Sequence, residues 1–257
     1  MNCGVGIIVP TMGSRMTLLK SCLDSIRKAG SSYIVIVTPL PGKIAAEIDP
    51  GLYDLIVLDP GTGLSEAINF GVSSLPKTVE FINWLGDDDL LKVNSILETS
   101  SVLASNSSVV LVYGNCDFIR MDGSAFGTMK AGRIAPFLMQ FGPQLMPQPG
   151  SLFRRNAFES IGGLNSKYRW AFDLDLFIRL KQTGSFYYLN QTLAQFRWHD
   201  GSLTVGSRAG SVKEASKIRR AALPTLIFPI SQIWEFFLRV FILWAGFIVS
   251  RKARDKT

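Results

Sequence analysis

Glu80-Phe81-Ile82-Asn83-Trp84-Leu85-Gly86-Asp87-Asp88-Asp89-Leu90-Leu91 decides how the rest of this chain is read. The apolar run from Val79 to Leu85 has the length and composition of a buried strand, and it ends at a glycine followed by three consecutive carboxylates. Like charges about 4 Å apart repel by roughly 4 kcal/mol at an effective dielectric near 20, so a half-buried triplet calls for a divalent cation or a raised pKa. Hard oxygen ligands suit magnesium or manganese rather than zinc. A solvated acidic turn capping a helix that begins near Leu91 is the alternative, but one aspartate would serve for that.

Outward from this point the pattern is of strands alternating with helices. Gly4 to Val9 reads as a first strand ending in Pro10-Thr11. The helix after it carries Met16, Leu19, Leu23 and Ile26 on one face and closes at Ala29-Gly30. Tyr33 to Thr38 and Leu55 to Leu58 are further strands. Pro39 to Gly42 reads as a turn, and Leu64 to Ser74 as a helix. Alternation of this kind predicts an α/β fold with a Rossmann-like, mostly parallel central sheet and helices on both faces, whose ligands bind beyond the carboxyl ends of the strands. Pro10-Thr11 and the aspartates both lie at such ends. Further along, a helix through Ser95 to Leu103 leads to a strand at 109–113. Asp117 to Lys130 reads as a hairpin turning at Asp122-Gly123, and 131–150 as a loop or lid with a short helix near Ile134 to Gln140. Gly61-Thr62-Gly63 lacks the GxGxxG spacing of a dinucleotide site.

A second acidic site lies in the predicted helix Ala171 to Lys181. Asp173, Leu176, Phe177 and Leu180 share its apolar face, so Asp173 is either an N-cap or a working base. Asp175, four residues before Arg179, reads as half of a surface pair. Two strand-like segments, Phe186 to Leu189 and Leu193 to Trp198, run into Arg197-Trp198-His199-Asp200-Gly201-Ser202-Leu203-Thr204. Arg197 and His199 share one side of the strand, either as a cationic pair facing a diphosphate or with the histidine holding a loop.

The totals narrow the classes. The 257 residues, 47% hydrophobic, suffice for one large core. Cys3, Cys22 and Cys116 match no zinc spacing, and His199 is the only histidine, so zinc and Ser-His-Asp chemistry have little to draw on. No charged segment precedes the first apolar run, which points to the cytoplasmic side. The net charge of +7 is concentrated: Lys and Arg balance Asp and Glu at 17 each through residue 206, whereas 207–257 holds 10 against 3. That asymmetry favours an anionic membrane over nucleic acid. Ile230 to Val249 is about the 20 residues a span requires, yet Glu235 and Arg239 interrupt it, which suggests a helix lying in the interface. Packing against the domain or a second subunit, a span, or a re-entrant helix broken by Pro229 are the alternatives. The expected division is therefore a domain over 1–206 and a basic, apolar helical tail over 207–257.

Four passages together resemble the family 2 glycosyltransferases of GT-A fold, and more narrowly the bacterial members that build surface polysaccharides. These are Ile8-Val9-Pro10-Thr11, Gly63 to Gly71, Trp84 to Leu90, and Phe153-Arg154-Arg155 through Ile161-Gly162-Gly163-Leu164 to Arg179. The resemblance implies transfer of a sugar, usually with inversion, from a nucleotide diphosphate donor to an acceptor hydroxyl, with a lipid-linked or oligosaccharide acceptor, at the cytoplasmic face of the plasma membrane. By position it implies that Pro10, Thr11, Arg15, Glu66, Asn69, Asp87, Asp88, Arg197 and His199 bind the donor. Asp88 and Asp89 would hold Mn2+ or Mg2+, and Asp173 would be the general base. The chain departs from that pattern at Thr38-Pro39-Leu40, where an acid commonly reads the base, at Ile68 in place of an arginine, and at Gly86 in place of the first acid of D-x-D. A nucleotidyltransferase, or a non-catalytic sugar-nucleotide-binding subunit of a membrane complex, is the alternative function. A homo-oligomer is compatible with either.

Overall fold

A computed structural model describes residues 4–199, 201–202, 206–223 and 228–254; Cys3, Asp200 and Leu203-Thr204 of the sequence reading lie outside the described residues. Its centre is one sheet of nine strands among the described residues. β1 (Val5–Pro10), β2 (Tyr33–Thr38), β3 (Leu55–Leu58) and β4 (Phe81–Trp84) pair in parallel in the order β3-β2-β1-β4. The period of two in these strands sorts their side chains into two buried faces. Ile7, Val9, Ile34 and Ile36 pack with Leu19, Leu23 and Ile26 of α1 (Met16–Ala29). On the other face Ile8, Val35 and Val37 pack with Ala67, Ile68 and Val72 of α3 (Leu64–Ser73). Helices on both faces are therefore what the sequence pattern implies and what the molecule has.

Beyond β4 the sheet changes direction. β8 (Leu152–Arg154) runs antiparallel between β4 and β6 (Val109–Ile119), and β9 (Ser185–Arg197) lies parallel to β6 on its far side. β8 is three residues long, too short for a periodic signal. The two strand-like segments expected over 186–198 are one strand, β9, with register shifts where it follows β6. β7 (Ala125–Met129) closes the hairpin on β6, and Gly123 at its turn has φ +86°.

Three local expectations need correcting. Pro39 to Gly42 does not simply turn: Pro41 opens α2 (Pro41–Glu47), because proline at the first helical position lacks only an amide that would go unbonded anyway. No helix begins near Leu91. Leu90-Leu91 form β5, antiparallel to β9, and α4 (Ser95–Ser105) starts only after Asn94, whose φ of +65° turns the chain. Asp175 does pair with Arg179, Nε to Oδ2 at 2.8 Å, but its carboxylate is buried rather than on the surface.

The remaining helices are α5 (Ala135–Leu138), α6 (Arg155–Ser160), α7 (Phe172–Leu180), α8 (Arg208–Ala221) and α9 (Phe228–Arg254). The last two join through Arg219, whose Nε and Nη2 donate to the Glu235 carboxylate at 2.7 and 2.9 Å with both side chains 1% exposed. Pro229 sits in the first turn of α9 and does not break it.

Candidate active site

The carboxyl ends of β1 and β4 bring Pro10-Thr11 beside Gly86 to Asp89. Thr11 is held by its own amide, which donates to Val37 O at 2.9 Å, so its hydroxyl is aimed at Asp87 and donates to Oδ2 at 2.6 Å. The Asp89 amide returns to Gly86 O at 3.1 Å, a tight turn that stacks the three carboxylates within a few residues of backbone. A Cβ at Gly86 would lie 3.1 Å from both Asp88 Oδ1 and Asp89 Oδ2. Glycine in the place of a first acid therefore leaves the other two room.

The three aspartates face different ways. Asp87 and Asp88 are bridged by the Arg15 guanidinium, whose Nη2 donates to Asp87 and whose Nη1 donates to Asp88 Oδ2 at 2.5 Å. His199 Nε2 meets the same Asp88 oxygen at 2.6 Å and lies 3.1 Å from Arg15 Nη1. Burial raises the Asp87 pKa, against the pull of the Thr11 hydroxyl and the Arg15 charge. Asp89 is turned inward, where its Oδ1 accepts the Arg197 amide at 2.9 Å. Its pKa is driven up by desolvation and then by the charge on Asp88.

Asp173 stands in the first turn of α7 and lines the same cleft, of about 1360 Å³, as Thr11, Arg15, Asp88 and His199. Its Oδ2 accepts from Gln144 Nε2 at 2.9 Å and its Oδ1 from the Leu174 amide at 2.8 Å. Desolvation raises its pKa, the Gln144 bond opposes that, and Glu214 adds to it. Asp173 is not the N-cap of α7. Glu214, reaching over from α8, takes the amides of Arg169, Trp170 and Ala171 at 2.9, 2.6 and 2.7 Å. That leaves the Asp173 carboxylate free to face the cleft, beside the Pro143 to Pro149 wall. Gln148 ties this wall to Asn83 Oδ1 and Trp84 O, both at 2.8 Å.

Other residues singled out by sequence do not reach the cleft. The Arg197 guanidinium, 4% exposed, donates to the carbonyls of Asp88, Arg120 and Met121 and so braces the aspartate turn from behind, while His199 alone faces inward. Strand alternation would put both on one side, but the chain leaves β9 at Arg197 and the alternation stops there. Asn69 clamps Leu164, donating to its carbonyl and accepting its amide, both at 2.9 Å, which joins the second and fourth motif passages structurally. Glu66 is on α3 outside the lining residues. Conversely Gln144, Arg208 and Glu214 belong to the site's surroundings although no spacing marked them. Each meets its partner from a distant part of the chain.

A divalent cation fits part of this arrangement. Asp88 Oδ2 and His199 Nε2 lie side by side in the cleft, 2.6 Å apart, and Arg15, with 35% of its side chain exposed, brings a positive charge to the same carboxylate. Among the described residues no group of three or more His, Cys, Asp or Glu is gathered to hold a metal. Two protein ligands with the remainder from phosphate and water is how Mg2+ and Mn2+ bind beside nucleotides. The expected ligand Asp89 lines the same cleft, with its Oδ1 accepting the Arg197 amide.

Solved structures share this architecture. The 1–349 fragment of S. aureus TarS in complex with UDP-GlcNAc superposes with TM-score 0.63 at 13% identity, over 85% of this chain and 65% of that one. The mannosyltransferase PcManGT from Pyrobaculum calidifontis, in complex with GDP-Man and Mn2+, superposes with TM-score 0.63 at 15% identity, over 98% of this chain and 75% of that one. The chain has a glycosyltransferase fold. It spans 38% of the length of the longer S. aureus TarS structure, which it matches at 11% identity with TM-score 0.59. No protein-family model matches the sequence, and no curated protein does. Within this glycosyltransferase fold, the aspartate turn and Asp173 sit at the strand ends where α/β sheets bind ligands.

Proposed function

We propose that the protein transfers a sugar from a nucleoside diphosphate donor to an acceptor hydroxyl, with inversion, in the making of a cell-surface polysaccharide or glycolipid. The observation that carries this reading is Asp173: a carboxylate with no cationic partner among the described residues, on the cleft that also holds the Arg15–Asp88–His199 cluster. A carboxylate so placed accepts a proton, and a guanidinium so placed stabilises a leaving group. The acceptor oxygen attacks the anomeric carbon as its proton passes to the Asp173 carboxylate. The bond from that carbon to the diphosphate oxygen breaks, and the diphosphate departs with the electron pair on the opposite side of the sugar, which inverts the centre. Arg15 supplies positive charge where the diphosphate leaves. Asp88 and His199 are the residues that would hold Mn2+ or Mg2+, which when bound neutralises charge on the diphosphate. The binding of UDP-GlcNAc by TarS and of GDP-Man with Mn2+ by PcManGT supports this choice of donor.

The far wall of the cleft is apolar, built by Ile242, Ala245 and Val249 of α9 with Val212 and Ala215 of α8, which suits an acceptor carrying a hydrocarbon portion. Thermal-shift screening of UDP- and GDP-sugars with and without Mn2+, followed by donor turnover, tests the proposal. The expected result is a metal-enhanced shift for one nucleotide sugar, with turnover lost in both Asp88→Ala and Asp173→Asn. Undiminished turnover in both variants would overturn it.

A further inference from the structure

Helix α9 carries a face that the catalytic reading does not use. Ile233, Phe236, Phe237, Val240, Trp244 and Phe247 recur at helical spacing and are each more than half exposed. On the opposite side of the helix Glu235, Ile242, Ala245, Gly246 and Val249 face α8 and the cleft. Exposed apolar surface of this extent on one helix marks a contact with something apolar. Basic residues bracket it: Lys213 and Lys217 of α8 are exposed before it, and Arg251, Lys252 and Arg254 are exposed at its end. A second apolar projection stands nearby. Ile134 and Phe137 are 65% and 70% exposed, and the same segment is tied to the end of α8 by Gln140 Nε2 donating to Ala222 O at 2.8 Å.

Ile233–Arg254 is long and apolar enough to cross a membrane by length and composition alone. Its attachments say otherwise. Near its start Glu235 is held by the buried Arg219. Near its end Ser250 Oγ accepts from Trp198 Nε1 at 3.0 Å and Arg208 Nη2 at 2.7 Å, while Arg120 donates to the carbonyls of Lys252 and Ala253, both at 2.9 Å. From Glu235 to Ala253 is about 27 Å of helix axis at 1.5 Å per residue, close to the ~30 Å hydrocarbon thickness. A helix fixed to one polar body at both ends of that length cannot span without drawing the body into hydrocarbon.

We propose that α9 lies in the plane of an anionic lipid surface, its exposed face among the acyl chains and its basic flanks on the headgroups, with the catalytic body above it. This does not rest on the sugar-transfer reading. Charge favours the lipid surface over a second copy of the chain, because two such faces brought together would also bring Lys213, Lys217, Arg251, Lys252 and Arg254 against their counterparts.

The test uses the full chain with vesicles of phosphatidylcholine alone or mixed with phosphatidylglycerol. Expected are sedimentation with the anionic vesicles, weakening as salt rises, release by an alkaline carbonate wash, and quenching of tryptophan fluorescence by lipids brominated near the headgroup end of the chain. Phe237→Glu with Trp244→Glu should weaken vesicle binding at least about tenfold, the two lost insertions together costing no less than the ~1.4 kcal/mol that a decade represents. Both positions are exposed, so nucleotide-sugar binding should be unchanged in that variant, which separates a failure of docking from a failure of the enzyme. Resistance to carbonate would mean a span and overturn the proposal. So would a stable dimer in solution that ignores vesicles and dissociates in the double variant.

Discussion

Arg219 and Glu235 form the one contact on which the placement of α9 can be weighed in energy. Both side chains are 1% exposed and meet through two hydrogen bonds of 2.7 and 2.9 Å. Replacing Glu235 with leucine leaves a guanidinium buried without its counter-charge, a change that costs about 3–5 kcal/mol. Arg219→Met does the converse. The double variant removes both desolvation penalties and fills the space with hydrocarbon, so it should recover most of the loss; exchanges of this kind are often neutral or stabilising. The coupling between the two positions is then about 3 kcal/mol or more, well above the few tenths expected of independent sites. The cost is capped by the free energy that docks the tail, since α9 can detach before the sheet unfolds. Urea denaturation should therefore be paired with limited proteolysis, which cuts within α9 once the helix is released. If either single variant stays within 1 kcal/mol of the parent and no new cleavage is seen, or if the double is no better than the singles, the reasoning is wrong.

Further expectations follow from the cleft. Asp173→Asn should lower kcat by about 10²–10⁴-fold, the usual worth of a general base, with nucleotide-sugar affinity kept, as single-turnover assays and calorimetry would show. Burial raises the Asp173 pKa, so the ionised base is lost as pH falls through a value above the ordinary carboxylate range, and kcat should show an acid limb there. Gln144→Leu removes a bond that favours the carboxylate and should move that limb up, whereas Glu214→Gln removes a repelling charge and should move it down; equal profiles in the two variants would contradict the assignment. Arg15→Gln takes away the charge between Asp87 and Asp88, which should lower Tm without metal and tighten Mn2+ binding in the absence of donor, measured as a larger metal-induced shift.

The strands and helices of the first half were legible because each is encoded within a window of its own length. β2 and β3 fall where their β-branched and aliphatic runs put them, and α1 buries the face its spacing defines. β8 and α2 escaped for the opposite reason: three residues show no period, and a proline-glycine pair opens a helix as readily as a turn. At the site, the residue types were legible and their orientations were not. Thr11, Asp88, His199 and Asp173 do share one cleft, while Arg197 and Asn69 spend their side chains on backbone groups.

Local pattern was enough to show that carboxylates would gather at the end of a buried strand, that a second acid would lie on the inner side of a helix, and that the positive charge would collect in the last fifty or so residues. Which of them meet is a matter of packing. His199 reaches Asp88 across 111 positions and Arg15 across 184, and Glu214 holds the amide of Ala171, just ahead of the helix of Asp173, from 43 residues away. Periodicity is a local property of the chain and fixes which way a side chain leaves its own element. What it then touches depends on how distant elements are packed, and in a sheet whose strands pair out of sequence order no local pattern carries that information.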